Sequence, residues 1–363
     1  FRQMQDKGIS PNAVTYICVL KVCGILGSLD IGEDIDVEVR KQGLLHTDVV
    51  VGNSLVDMYL KCGMIQKAQE VFEQLPVPDI VSWNALISGY AQHGLGDEAF
   101  QRFRQMKDEG ICPNSATYIS ILKACSTLGP LEVGRDIDTE VRSQRLLEKD
   151  IVLGNTLVQM YSKYGASDKA REVFDQLPVR DSGSWNALIG GYTQLGQANV
   201  VLNLYRMMRM TEGIVPNLAT FVLLLTVCSH AGLLDEGEIL FNEMSDVYCL
   251  TPTLIHYSCM INLFGRAGRF GKAVEVIVKM PSSHYFLVWD ALLGACQKWG
   301  NVQLGRFAFE QKVQLDPNNG AAYVLMSNIY VAAALKEDAE NNIYINYAAQ
   351  SNLWCTKFMD GYE

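Results

Sequence analysis

The sequence predicts an all-α fold, a solenoid of stacked helix–turn–helix units, on three observations. The chain repeats itself at long range: SWNALI at Ser82–Ile87 returns at Ser184–Ile189, and GNSLVDMY from Gly52 returns as GNTLVQMY from Gly154, each 102 residues on. That period divides into three units of 35, 36 and 31 residues, at 80–114, 115–150 and 151–181. Within each unit, apolar residues recur at spacings of three and four and the runs close on glycine, the signature of short amphipathic helices. A helix pair of this size cannot bury its apolar stripe alone, so the units must stack on one another.

In 80–114 the first helix places Trp83, Leu86, Ile87 and Tyr90 on one stripe and is expected to stop at Gly94. The second places Ala99, Phe103 and Met106 and is expected to stop at Gly110, with Pro113 just beyond. The same register divides the chain into 13–48, 49–79, 80–114, 115–150, 151–181, 182–217, 218–253 and 254–285. Phe1–Asn12 nearly duplicates Phe103–Asn114, so residues 1–12 read as the end of a truncated repeat. The pattern then drifts. Residues 286–319 and 320–354 still read as helix pairs, and amphipathicity fades from Asn341 into a tail at 355–363.

With 49% hydrophobic residues the chain can bury a large core, and its formal charge of −10 argues at first against a polyanionic partner. Ten scattered cysteines without CxxC spacing read as reduced core thiols, not a disulfide framework. The longest apolar run, around Phe221–Cys228, is too short to span a bilayer. Neither a targeting segment nor an initiator Met is read in the sequence.

The strings VSWNALISGYAQHG, CSHAGLLDEGEILF and HYSCMINLFGRAGR resemble the pentatricopeptide repeat family, and the alternating lengths resemble its plant PLS subclass of P-type, long L-type and short S-type repeats. Residues 286–354 are similar to the E-type extension that follows such arrays. The resemblance covers nearly the whole chain. It implies a right-handed superhelical α-solenoid that recognises single-stranded RNA in an organelle, the mitochondrion or alternatively the chloroplast, as a specificity factor for C-to-U editing. It also implies a monomer that needs no cofactor, with an editing-complex protein docking on the L-type repeats or the E-type extension. Splicing, end protection or translation of organellar RNA are alternative outcomes. LDPNN and AAYVLMSNIY are similar to tetratricopeptide units, so a peptide-binding scaffold is a further alternative.

By that resemblance the fifth and last residues of a repeat jointly select one base. The pairs here are Asn53 with Asp79, Asn84 with Asn114, Asn155 with Asp181 and Asn186 with Asn217. Asn with Asp implies uracil, and Asn with Asn a pyrimidine, cytosine preferred. A carboxamide offers both donor and acceptor to a Watson–Crick edge, which makes the assignment chemically sensible. The competing structural role is capping: Asn12, Asp48, Asp79, Asn114, Asp150, Asp181, Asn217 and Thr253 each precede a helix, and all are good N-caps. The two roles are compatible. Ser258 takes the fifth place in the last short unit, whose end, Tyr285, leaves its base unassigned. The long units carry Ile17, Ile119 and Val222 there, with little polar readout expected.

Val50, Val81 and Val152 at the second position are candidate wedges against a base face, unless they pack in the core; Gly183 breaks the pattern. Lys61, Lys163 and Arg266, at the thirteenth position, are candidate phosphate contacts or simply favourable helix-end charges. First helices carry Lys21, Lys61, Lys123, Lys163 and Arg266 against Asp57, and acidic residues gather on second helices, so a weakly basic groove on an acidic body is expected. No histidine stands in an HxE motif and no CxxC occurs, so the zinc-deaminase ligand set is missing. Nor is there a phosphate-cradling glycine loop or a nucleophile elbow. The chain reads as a non-enzyme with no metal or catalytic residue.

Overall fold

The structure, a computed structural model, describes residues 1, 4, 8–128, 130–280 and 286–333. Tyr285, the second helix expected in 320–354 and the tail at 355–363 lie outside the described residues. Every described element is helical, and the chain divides into two compact units, residues 1–191 and 192–363.

In the first unit the first helices Ala13–Leu26, Val49–Lys61, Ile80–Gln92, Ser115–Leu128 and Ile151–Lys163 pack in succession. Behind them lie the second helices Leu29–Lys41, Ile65–Glu73, Gly96–Asp108, Leu131–Ser143 and Ser167–Gln176. The second unit repeats the scheme, with Leu218–Ala231, Leu254–Arg266, Phe286–Trp299 and Gly320–Ala332 in succession. Its second helices are Ala198–Met210, Leu234–Asp246, Phe270–Lys279 and Val302–Leu315. Each unit thus has the arrangement of an α-solenoid. Among the described residues no helix is long and apolar enough to cross a membrane.

Local chemistry sets the boundaries. The Asx and Thr residues expected to cap do so: Asp79 accepts from the Val81 and Ser82 amides, and Thr253 forms a capping box with His256. At the other end Gly94 adopts φ 73°, and the Leu95 amide bonds back to Tyr90 O at 2.9 Å. Only glycine takes that left-handed turn without cost. Two of the long units close on an extra turn, Leu44–Thr47 in 13–48 and Leu146–Glu148 in 115–150, each entered from a left-handed residue, Gly43 or Arg145.

Trp83 is fully buried, its ring edge-on to Phe72 at 4.8 Å, and Trp185 meets Phe174 in the same way at 4.8 Å. The long units 13–48 and 115–150 are each also tied to the next short one by buried polar groups, whereas 218–253 has Phe241 at that place. Asp36 accepts from Tyr59 Oη (2.8 Å) and from Arg40 Nε (2.7 Å), and Arg40 reaches Gln74. Asp138, Tyr161, Arg142 and Gln176 repeat the knot 102 residues later with the same lengths, 2.8 and 2.7 Å. Burial, with Asp36 accepting their bond, pushes the Tyr59 hydroxyl far up, and Tyr161 follows with Asp138. The cysteine expectation needs correction: Cys23, Cys125, Cys228 and Cys296 are buried, but Cys18, Cys112 and Cys249 are exposed. Cys112 and Cys249 sit in loops between repeats, where no apolar stripe covers them.

Candidate nucleic-acid interface

In the first unit the residue that closes a repeat meets the fifth residue of that repeat. Asn53 Nδ2 donates to Asp79 Oδ1 at 3.3 Å, Asn84 Nδ2 to Asn114 Oδ1 at 3.1 Å, and Asn155 Nδ2 to Asp181 Oδ1 at 3.4 Å. The closing residue is at the same time the cap of the next first helix. Asp79 Oδ1 accepts from Ser82 N (2.9 Å), Asp181 Oδ1 from Ser184 N (2.8 Å), and Asn114 Oδ1 from Thr117 N (3.1 Å). Capping therefore consumes one atom of each side chain and fixes which way the other faces. The Asp residues keep Oδ2, an acceptor; Asn114 keeps Nδ2, a donor.

Burial pushes the Asp79 carboxyl up, but hydrogen bonds from Ser82 N and Oγ, Asn53 Nδ2 and Val81 N outweigh it and hold it below the usual range. Asp181 is held low in the same way by Ser184, Asn155 and Gly183, against burial. Both carboxylates are thus charged acceptors at neutral pH. The fifth residues differ too. Thr117 Oγ1 donates to Asn84 Oδ1 at 2.5 Å, whereas Asn53 Oδ1 and Asn155 Oδ1 are buried with no partner among the described residues.

Asn186 and Asn217 fall in different units; within its own, Asn217 caps with Thr220 N at 3.1 Å. Ser258 Oγ donates to Leu254 O at 2.9 Å, which uses its only proton and leaves lone pairs alone for any partner. Ile17, Ile119 and Val222 are half-buried, as apolar residues at that place should be.

The core reading of the second-position valines is excluded. Val50, Val81 and Val152 are 53%, 56% and 54% exposed. Val14 and Ile255, which the sequence reading passed over, occupy the same position and are exposed as well. Beside each polar pair the surface therefore offers an apolar shoulder. Gly183 has none; a Cβ there would lie 3.1 Å from Asp181 Oδ1 and 3.2 Å from Asn155 Nδ2.

Ile17, Val50, Asn53, Asp79, Val81 and Asn84 line a groove with about 550 Å³ of free volume, to which the first helices from 13–26 to 115–128 contribute. Its charged lining is Lys21 and Lys61 against Asp57 and Asp79, so this stretch is neutral rather than weakly basic. The helix count missed Asp79 because a cap stands outside its helix. Lys61 is also tied to Asp57 at 2.7 Å. Its counterpart Lys163 faces Gln159 one turn back and forms no ion pair among the described residues. Arg266 is exposed and its Nη1 donates to Ser229 O at 3.3 Å.

One feature lay outside the sequence reading. The fourteenth residue repeatedly reaches back to the preceding first helix: His93 Nε2 donates to Leu60 O (2.6 Å), Tyr164 Oη to Cys125 O (2.6 Å) and Trp299 Nε1 to Gly265 O (3.0 Å). Aligning the repeats shows a ring at these three places, but not where it points.

Three units, 49–79, 80–114 and 151–181, thus each present one hydrogen-bonding pair and one exposed valine on a repeat scaffold. The chain matches the PPR repeat family at 78–127, the PPR repeat at 53–77, 155–181, 183–210 and 255–285, and the pentatricopeptide repeat domain at 204–267. It belongs to the pentatricopeptide repeat family.

Two Arabidopsis thaliana relatives are similar over most of the chain. The putative pentatricopeptide repeat-containing protein At3g11460, mitochondrial, is 39% identical over 91% of this chain and 52% of its own length. At1g08070, chloroplastic, is 38% identical over 92% and 45%. The chain thus spans about half the length of these relatives. Among solved structures, PPR10 in complex with an 18-nt psaJ RNA element has the same fold, with TM-score 0.74 and 21% identity over 96% of this chain and 52% of that one.

Proposed function

We propose that the chain binds single-stranded RNA, reading one base at each Asn/Asp or Asn/Asn pair, and serves as the address module for organellar C-to-U editing. The observation that carries the reading is the atom left over from capping. Uracil presents a donor at N3–H, which Oδ2 of Asp79 or Asp181 accepts; cytosine presents an acceptor at N3, to which Nδ2 of Asn114 donates. The valine shoulder packs on the ring face, and Lys163 and Arg266 take phosphates. PPR10 in complex with RNA, and relatives named mitochondrial and chloroplastic, support an RNA partner and an organellar site of action.

The alternation of long, short and intermediate units supports assignment to the PLS subclass, with residues 286–354 as its E-type extension. On this reading the chain supplies sequence address, and the deamination is performed by a separate catalytic module. The test is a binding titration with RNA carrying 5′-U-C-A-U-C, its 5′ end toward the N-terminus, against a purine-only RNA of equal length. Preferential binding to the first is expected, with a logarithmic salt slope of about −0.7 per phosphate engaged. Equal affinity for the two at moderate salt refutes the readout.

A further inference from the structure

The groove stripe of a first helix runs through its fifth, ninth and thirteenth residues, as Asn53, Asp57 and Lys61 do. In Phe286–Trp299 these places hold Asp290, Gly294 and Lys298. Asp290 is charge-compensated by the buried Lys312. Gly294 has no atom within 4 Å of where its Cβ would be. Other glycines within helices, such as Gly52, Gly89, Gly154 and Gly265, have a neighbour within 2.5 Å there, which leaves no room for a side chain. Packing does not explain Gly294, and a mid-helix glycine costs about 1 kcal/mol relative to alanine. What it leaves is bare helix backbone, open to solvent.

One turn further along the same helix come Lys298 and Trp299, and Arg266 ends the preceding first helix. Trp299 is 53% exposed yet firmly oriented: its indole N–H holds Gly265 O at 3.0 Å, and its ring lies against Gly268, whose Cβ would come within 3.3 Å of Cε2. Lys298 Nζ sits 5.6 Å from the indole centroid and 3.3 Å from Arg266 O, and both Lys298 and Arg266 are exposed. A pre-oriented aromatic face flanked by cations is the usual platform for an unstacked base and its phosphate.

We propose that Gly294, Lys298, Trp299 and Arg266 form a nucleotide site that takes RNA on the 3′ side of the repeat-read bases: one base stacks on Trp299, and Lys298 and Arg266 hold its phosphates. This site rests on the RNA-binding reading above and extends it past the last polar pair. It has no polar pair of its own, so it grips without selecting a base.

The full chain is titrated with RNAs sharing the 5′-U-C-A-U-C core: one ending at the nucleotide facing residues 254–285, one with two further 3′ adenosines, one with two 3′ abasic residues and one with two 5′ adenosines. The 3′ adenosines should tighten binding about fivefold to a hundredfold over the short RNA, the scale of one stacked base. The abasic extension should yield a smaller gain, and the 5′ extension no gain through Trp299. Trp299→Ala should erase the difference between adenosine and abasic extensions, Trp299→Phe should keep most of it, and Gly294→Leu should block the site with Trp299 in place. Lys298→Gln should reduce the logarithmic salt slope by about 0.7 on extended RNA only. Wild-type protein that binds the adenosine and abasic extensions alike overturns the site. So does Trp299→Ala weakening every RNA by the same factor, since the ring then only bridges helices. Failure to bind the core at all is a different result and rejects the RNA reading itself.

Discussion

Changing Asp79 to Asn separates the two jobs of one side chain. In the native protein Oδ1 of Asp79 caps the helix Ile80–Gln92 and accepts from Asn53, while Oδ2 has no partner among the described residues. Asn114 shows what Asn does in the same setting: its Oδ1 accepts from Thr117 N and Asn84 Nδ2, both at 3.1 Å. Asp79→Asn therefore keeps the cap, and Asp and Asn are equivalent there to within a few tenths of a kcal/mol. It weakens bonds that were charge-assisted, so a stability loss of about 1 kcal/mol is expected. The outward atom, however, turns from acceptor to donor. Uracil at that position loses the acceptor for N3–H, and cytosine gains a donor for N3. Each mismatch leaves a polar group unmet at about 1–3 kcal/mol, so the ratio of affinities for U and C should invert, moving about fivefold to a hundredfold in each direction. The assay is equilibrium binding to two RNAs that differ only at the base facing residues 49–79, with thermal melting as a check on folding. A folded variant that still ranks U above C as the wild type does would refute the reasoning and leave Asp79 a cap alone.

Asp57→Gln copies the arrangement at Gln159 and frees Lys61 from its 2.7 Å partner; RNA affinity should rise at low salt and the logarithmic salt slope steepen by about 0.7, read from titrations at several ionic strengths. Asp79 and Asp181 have lowered carboxyl pKa values in the fold, so the stability they contribute is present above the ordinary 3.8 and is lost as pH falls through their folded values. Acid unfolding followed by circular dichroism should thus be less steep in an Asp79→Asn, Asp181→Asn double variant. Tyr59→Phe strands the buried Asp36 Oδ2 and should cost about 1–3 kcal/mol in urea unfolding, and Tyr161→Phe should match it.

The helix pairs and their caps were legible because they depend on neighbours in sequence: an Asx before an apolar run, a glycine after it. The fifth-with-last pairing was legible only through the family resemblance, and nothing local says which atom of Asp79 or Asn114 is left over. That depends on Ser82 and Thr117, which the sequence reading did not weigh. The Asp57–Lys61 pair was within reach, since its i, i+4 spacing is a recognised ion-pair signal, but a charge count treats the two as independent. The exposure of Val50, Val81 and Val152 required the fold, because periodicity places the second residue of a helix near the edge of the apolar stripe, where either side is open to it. The return of Trp299 to Gly265 spans 34 residues and only a register of whole repeats brings those two together.

The knots at Asp36 and Asp138 bear on how such an array can be rearranged. Joining 49–79 or 151–181 to 218–253, which carries Phe241 where the other two long repeats carry Asp36 and Asp138, would bury a tyrosine hydroxyl without its carboxylate and cost about 1–3 kcal/mol. The two knotted couples match each other. The step from a short repeat to the next unit has no buried carboxylate of this kind: 49–79 meets 80–114 through Phe72 on Trp83, Tyr90 Oη donating to Gln69 Oε1 (2.9 Å) and His93 Nε2 donating to Leu60 O (2.6 Å). Insertion, deletion or grafting should therefore succeed when the breakpoint follows a short repeat and lose stability when it parts the tyrosine from its carboxylate. The natural unit of exchange in this chain is the long–short couple, and new targets are most cheaply assembled by moving such couples whole.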